Sequence, residues 1–545
     1  MVANSAFLYI PDNYSTREQA LTGRRSASES FLLAFGRHAE VDRYYCFSHN
    51  RAAAVDFHQR MRAEAVERTT HFISTTRPDK LAEPGCLFRP GPDIGWFAWQ
   101  RRSVGERAYS LCGITHTTAE TTVMDSIAQL ITAPVHPWDA LVCTSKAVKR
   151  MVTNQLEQWQ DYLVKRLAAT LPPQPELPII PLGIDCRRFR HDPAQRQHWR
   201  ARLGIGPDDV VLLFLGRLSI FEKANPLPLL LGAESAARRT GRRLHLVFAG
   251  WFPGARSENA LREGMAELAP SVTHHILDGR EPAVRTGIWS AADIFASLPD
   301  NIQETFGLTP LEAMAAGLPV IASDWDGYRE TVRDGVDGIL VPTAMPRPGH
   351  GRDIAAGYAI MNLSYTHYCG AAAAATSVDP HACGDALVRL VEDPALRRRM
   401  GEAGCARADE FDWRHIIPAY QALWAELEAR RRAEATAAAV DNPKAPDPFF
   451  LFDAYPSVTL GPATGFRVVA GADAAAVARF QTLGLTRDAA DGRLALPPVE
   501  ALLAHFAAAP ASTGEAAIAA CAPAGADLVL RGLGWLVKIG YLAVD

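Results

Sequence analysis

Short apolar runs alternate with polar stretches bounded by glycine and proline along most of this chain, and the alternation is clearest between residues 293 and 342. Residues 293–297 (DIFAS) read as a short buried strand, and the polar loop 298–308 carries Glu304. A helix is expected to open at Thr309, because Thr309 and Glu312 spell the capping pattern T-x-x-E and Pro310 falls at the first helical position, where a missing N–H costs nothing. Gly317 ends that helix and Pro319 prevents its return. Residues 320–323 form the next strand, Asp326-Gly327 a turn, 328–334 a helix and 338–341 a further strand. Strands alternating with helices in this way predict a parallel sheet and an α/β fold.

The same reading extends to both sides. Residues 7–10 form a first strand and Gly23-Arg24-Arg25 a loop, after which a helix puts Phe31, Leu32 and Phe35 on one face. Strands follow at 43–48, 71–74 and 109–115 (YSLCGIT), the last ending at His116, and 139–145 (DALVCTS) closes the series before a helix at Lys146. The apolar run 210–215 (VVLLFL), bounded by Asp208-Asp209 and Gly216, is a buried strand that opens a second Rossmann-like unit, continued by 244–250 and 272–277. Helices are expected over 383–407 and 411–430.

Composition narrows the class. At 545 residues and 48% hydrophobic, the chain exceeds one core and divides into two or three domains. A net charge of −4 gives no basic field for nucleic acid. The apolar run 6–10 is too short for a signal segment and lacks its basic flank, and no apolar run approaches the ~18 residues of a membrane span. The expectation is a cytoplasmic protein whose contact with a membrane, if it has one, is peripheral. Nine cysteines without a C-x-x-C or a zinc spacing read as reduced core thiols.

A loop that leaves a strand's carboxyl end and runs into a helix N-terminus is where open α/β sheets bind anions. The backbone amides of Phe306, Gly307 and Leu308 would face such a ligand. Glu304 and Glu312, eight positions apart, set an acceptor-only carboxylate on each side, suited to the hydroxyls of a sugar and a ribose. The stretch ETFGLTPLEAMAAGLPVIAS resembles the E-x7-E signature of retaining glycosyltransferases of the GT-B fold, in particular family 4. The resemblance implies two Rossmann-like domains facing a cleft, with the nucleoside-diphosphate sugar donor held mainly by the second. It places Glu304 on the transferred sugar, Glu312 on the ribose and Thr305 to Leu308 along the donor. In GRLSIFEKANP it makes Arg217 and Lys223 the pair that holds the diphosphate, where preplaced cations stabilise the charge growing on the leaving group. His116 would hydrogen-bond the donor sugar, and Gly23 would lie on the loop that approaches diphosphate and acceptor. The expected catalytic set is therefore Arg217, Lys223, Glu304 and His116, with no cofactor and no metal. The D-x-D of Asp324-Trp325-Asp326 is taken as coincidental, and Glu330 as a charge near a helix start that supports the loop.

The resulting domain plan is 1–184 for an N-terminal, acceptor-side unit and 185–430 for the donor unit, with a helix over 411–430 crossing back. A linker (431–448) and a helical appendage (449–545) follow. In the inserted segment 345–379, Tyr358, Tyr365, His367 and Tyr368 read as packing residues, with stacking on an acceptor sugar as the alternative. Helical patterns in the appendage cover 474–483, 497–508 and 528–542. From Asp441 to Asp545 seven Lys and Arg face ten Asp and Glu, the wrong sign for phosphate, so the appendage is expected to serve interaction or self-association as a homo-oligomer. The function expected is retaining transfer of a sugar from a nucleoside-diphosphate sugar to an acceptor hydroxyl on a glycan, a lipid-linked sugar or a protein. The rival readings are epimerisation or hydrolysis of a nucleotide sugar on the same fold, and a non-catalytic scaffold that binds one.

Overall fold

The computed structural model describes residues 3–15, 23–64, 68–435, 442–487 and 497–545. They form two compact units, 1–439 and 440–545.

The first unit is built on two six-stranded parallel sheets. One contains β1 (Ala6–Leu8), β2 (Arg43–Ser48), β3 (Thr69–Ser74), β4 (Cys86–Arg89), β5 (Ser110–Ile114) and β6 (Ala140–Val142), in the order β3-β2-β1-β4-β5-β6. The other contains β7 (Val210–Leu215), β8 (Leu244–Gly250), β9 (Thr273–Asp278), β10 (Ile294–Ser297), β11 (Val320–Ser323) and β12 (Gly338–Val341), in the order β12-β11-β10-β7-β8-β9. Each sheet thus has the doubly wound order in which the chain changes direction beside its first strand, between β1 and β4 and between β7 and β10, and ligands bind at the carboxyl ends there. Strands such as VVLLFL and LHLVFAG are apolar without alternation because helices cover both sheet faces.

Two crossings join the sheets. The Ile184 N–H donates to the Phe411 carbonyl (3.0 Å), and the Trp413 N–H donates to that of Ile184 (3.1 Å). The helix Trp413–Ala433 then lies on the helix Gly23–His38, where the Phe31 ring meets Trp413 and Tyr420 at 5.6 and 4.8 Å. Gly183 permits this approach, since a Cβ there would fall 2.4 Å from the Trp413 ring.

Several expectations are corrected. Cys86–Arg89 is a central strand only four residues long, and its surroundings, PGCLFRPGP, show turn residues but no periodicity. Gly23, Arg24 and Arg25 are the first turn of a helix rather than a loop before it. The helix expected over 328–334 stops at Thr331. The capping box is absent: the helix Leu308–Ala315 starts from Gly307, no side chain caps it, and Pro310 is its third residue. Gly307, at φ 80°, makes the turn directly into the helix, which leaves Glu312 a full turn inside it.

After β12 the chain makes an excursion. β13 (Thr343–Ala344) and β14 (Ser377–Val378) pair antiparallel and enclose the helices Arg352–Ala359 and Tyr365–Ala374. Tyr358 and Tyr368 stack on each other at 4.4 Å, which is packing.

The second unit has its own core around Phe466, Leu502, Phe506, Val529, Leu533 and Leu536. Its helices include Ala474–Thr482, Val499–Ala508 and Ala526–Lys538, close to those expected. They are accompanied by a sheet that was not: β15 (Gly465–Val468) between β16 (Ala511–Thr513) and β17 (Leu542–Val544), antiparallel. Strands of three and four residues carry too little alternation to be read. The crossing helix continues into the expected linker as far as Ala433, and residues 436–441 lie outside those described. Among the described residues no helix is long and apolar enough to cross a membrane.

Candidate active site

The carboxyl ends of the two parallel sheets face a cavity of about 750 Å³. It brings together Gly23 and His116 from the first sheet's side with Arg217, Lys223, Glu304, Thr305, Phe306, Gly307, Leu308 and Glu312 from the second's. Asp324, Asp326 and Glu330 do not line it.

Loops explain the convergence. β7 ends in Leu215-Gly216, and the turn that follows carries Arg217 and, six residues on, Lys223. The loop after β10 carries Glu304 beside them, and the buried Asn301 amide fastens the two loops by donating to the Phe221 carbonyl. Each cation is paired: Arg217 with Glu222 at 2.7 Å, Lys223 with Glu304. Burial works against the Lys223 charge, but Glu304 and the Tyr328 oxygen outweigh it and hold the ammonium above its ordinary range.

Gly307 is a steric necessity. A Cβ there would sit 1.7 Å from a Tyr328 ring carbon, and Tyr328 itself is fixed by a hydrogen bond with Ser297 at 3.0 Å. Thr305 turns to the other lobe, its hydroxyl donating to the His116 carbonyl at 2.6 Å, while the buried Ser145 hydroxyl donates to the Thr305 carbonyl at 3.0 Å. The loop after β10 is thus gripped from the lobe of the first sheet. Three glycines shape the floor. The Gly216 and Gly279 N–H groups donate to Ala249 and Gly250 at 3.0 Å each, and a Cβ on Gly250 would lie 1.9 Å from the Gly216 carbonyl oxygen.

Electrostatics differ from group to group. Burial raises the Glu312 carboxyl to about 7, offset in part by Arg188, Lys223 and Arg285. Burial, with Arg24 and Arg89 nearby, lowers His116 to about 3, so its imidazole is neutral, and its Nε2 is buried without a hydrogen-bond partner among the described residues. Asp300, on the same loop as Glu304, is raised to about 6 by burial, which the Asn225 N–H partly offsets.

The D-x-D carboxylates are engaged separately: Asp324 pairs with Arg329 at 3.0 Å, and Asp326 accepts from Ser145 at 3.3 Å. Burial, then the nearby Glu304 charge, raises Asp326 to about 7. Among the described residues no three His, Cys, Asp or Glu side chains gather to hold a metal ion. Glu330 stands in the first turn of the helix Tyr328–Thr331, near a helix start as expected. It accepts from the Lys146 N–H (2.5 Å) at the start of the helix Lys146–Leu167 on the other lobe.

Sequence reasoning missed Glu222, Arg285 and Trp251, all on the cavity wall, which also holds Tyr365, read as a packing residue with sugar stacking as the alternative. Glu222 stands between Arg217 and Lys223 in the sequence, and that position was the available signal. Arg285 and Trp251 follow strand ends that the pattern located but did not connect to the cavity.

Residues 195–347 match the family described as Glycosyl transferases group 1. The chain is 32% identical over 282 residues to a D-inositol 3-phosphate glycosyltransferase of Nocardia farcinica, covering 50% of this chain and 53% of that protein. To the protein of the same name from a Nocardioides species it is 32% identical over 267 residues, 47% and 49% of the two chains. The chain therefore spans about half the length of the curated relatives it matches. Among solved structures, Anabaena Alr3699/HepE in complex with UDP superposes with a TM-score of 0.50 at 14% identity, over 78% of this chain and all of that one. This likeness is one of fold.

Proposed function

Residues 195–347 belong to the group 1 glycosyltransferases on a chain of GT-B fold, and from that premise we propose that this protein transfers a sugar, with retention, from a nucleoside-diphosphate sugar to an acceptor hydroxyl. One observation carries the reading: two cations, two carboxylates and a run of loop backbone, drawn from separate stretches, line a single cavity at the switch points of two Rossmann-like sheets. The relatives named above as glycosyltransferases, and the UDP in the superposed structure, accord with it.

In this reading the diphosphate competes with the carboxylates that pair with the cations. Arg217 leaves Glu222 and Lys223 shares Glu304 with the incoming ligand. Guanidinium grips two phosphate oxygens at once, and both contacts strengthen as the bond to the sugar breaks and charge moves onto the leaving group. Glu304, steadied by Lys223, accepts from the sugar hydroxyls, and Glu312 from the ribose. Neutral His116 offers the sugar a hydrogen bond from the opposite lobe. The acceptor attacks from the face the diphosphate leaves, and its proton passes to a departing phosphate oxygen. No side chain forms a covalent intermediate in this scheme.

The test is transfer itself. Incubated with UDP-, GDP-, ADP- or TDP-sugars and an acceptor, the protein should release nucleoside diphosphate and form a glycoside with the donor's anomeric configuration, read by proton NMR. Conversion of donor without acceptor would favour the epimerase or hydrolase reading, and an inverted product would refute retention.

A further inference from the structure

The excursion 345–379 is an addition to the strand–helix plan of the donor lobe, and its helices are tied to the cleft at three places. The Thr366 hydroxyl donates to Glu222, the carboxylate that holds Arg217. Gly370 lets its helix come so near the cation-bearing loop that a Cβ would lie 2.6 Å from the Phe221 ring. The Tyr358 hydroxyl reaches the other lobe and accepts from the Thr121 N–H at 3.2 Å. These contacts carry Tyr365 into the cavity wall, within electrostatic reach of Glu222 in one lobe and Glu120 in the other. Its hydroxyl is buried beside the Cys369 thiol. What Tyr365 presents to the cavity is therefore its ring.

That position fits an acceptor better than a donor. It lies next to Thr366, which is bonded to the carboxylate that holds Arg217, where the diphosphate departs, and it shares the cavity wall with Arg24, Glu29 and Glu120 of the acceptor-side lobe. A hydroxyl both donates and accepts, whereas a carboxylate only accepts and a guanidinium only donates, so such a wall complements vicinal hydroxyls. An aromatic face, with its negative quadrupole, complements the C–H face of a pyranose. A lipid chain would find charge on one side of this space. We propose that Tyr365 is an acceptor-reading residue, stacking on a sugar-like polyol, and that the helices Arg352–Ala359 and Tyr365–Ala374 form the wall that selects it. The proposal rests on the transfer reading given above.

The experiment is saturation kinetics of the full chain with its preferred nucleotide sugar. The acceptors are free glucose, galactose, mannose and N-acetylglucosamine in one arm and their octyl glycosides in the other, which separates free from linked polyols. Tyr365→Ala and Tyr365→Leu should each raise the acceptor KM about fivefold or more, the scale of an aromatic contact, while the donor KM moves less than twofold. Tyr365→Phe keeps the ring and should stay within twofold of the parent. Rescue by leucine, which restores apolar bulk alone, would overturn the proposal in favour of packing, and so would an equal rise in donor and acceptor KM. If Tyr365→Ala fails to fold, the leucine and phenylalanine variants carry the comparison. A parent that turns over donor yet uses none of these sugars, free or linked, overturns the polyol assignment. A parent that binds no nucleotide sugar overturns the transfer reading instead.

Discussion

Arg217 separates catalysis from binding most sharply. It pairs with Glu222 at 2.7 Å, so a diphosphate competes with that carboxylate, and ground-state affinity gains little from the exchange. The charge that arrives during bond breaking has no earlier partner, and the transition state should depend on Arg217 more than the ground state does. Arg217→Ala is expected to lower turnover by about two to three orders of magnitude, the scale of losing one preorganised donor, with a smaller loss of donor affinity. Arg217→Lys should recover only part, because lysine lacks the fork. Donor-saturation kinetics on variants with parental melting curves would show this, and near-parental turnover in Arg217→Ala would leave Lys223 as the loop's only basic participant. Glu312 makes a different prediction, about pH. Burial raises its carboxyl to about 7, so the folded, empty protein keeps a proton that the unfolded chain releases near 4.5. More protons are bound in the folded state between those values, so stability falls as pH rises through that window, and Asp300 and Asp326 act in the same direction. The buried His116 acts in the opposite direction below 6.5, so the effect is read as a difference: the melting temperature of the parent relative to that of Glu312→Gln should decline from about pH 5 to 8.

At the scale of elements, the turn at Gly307 is the most exacting. Alanine there would need both a left-handed backbone at φ 80° and a Cβ 1.7 Å from Tyr328. The backbone cost alone is on the order of 1–3 kcal/mol, and the clash must displace Tyr328 or the loop. Gly307→Ala should lower the melting temperature by several degrees and abolish nucleotide-dependent stabilisation. An unchanged melting curve would show that the loop has another conformation open to it. The same element shows what could be read from residues alone. Strands of uninterrupted apolar residues, such as 210–215 and 320–323, were legible because burial on both faces leaves no other pattern. The helix start was not, because T-x-x-E is satisfied locally, whereas the true start at Gly307 depends on a ring 21 residues further on. Cys86–Arg89 and the strands of the second unit were missed for want of length, and the partner of Glu330, the Lys146 N–H, because it is 184 residues away. Which residues line the cavity could be anticipated because they sit at strand ends. Pairings such as Arg217 with Glu222 needed coordinates.

At the scale of the molecule, every cavity residue belongs to unit 1–439, and unit 440–545 has a separate core. Residues 1–439 alone should therefore bind nucleoside diphosphate and turn over donor as the full chain does, while oligomeric state or acceptor use changes. Loss of all soluble protein on removing 449–545 would make the second unit part of the first unit's folding. The central claim, that one cavity grips a nucleotide sugar at two ends through two carboxylates, is tested most directly by calorimetry. UDP, GDP, ADP and TDP would be titrated into the parent, Glu312→Ala and Glu304→Ala. The nucleoside diphosphate that binds the parent should bind Glu312→Ala about ten- to a hundredfold more weakly, the worth of a charge-assisted hydrogen bond. Glu304→Ala should bind it within about threefold of the parent or more tightly, because its loss leaves Lys223 to the phosphate. Equal weakening in both variants, or no binding of any of the four at millimolar concentration, would contradict the account.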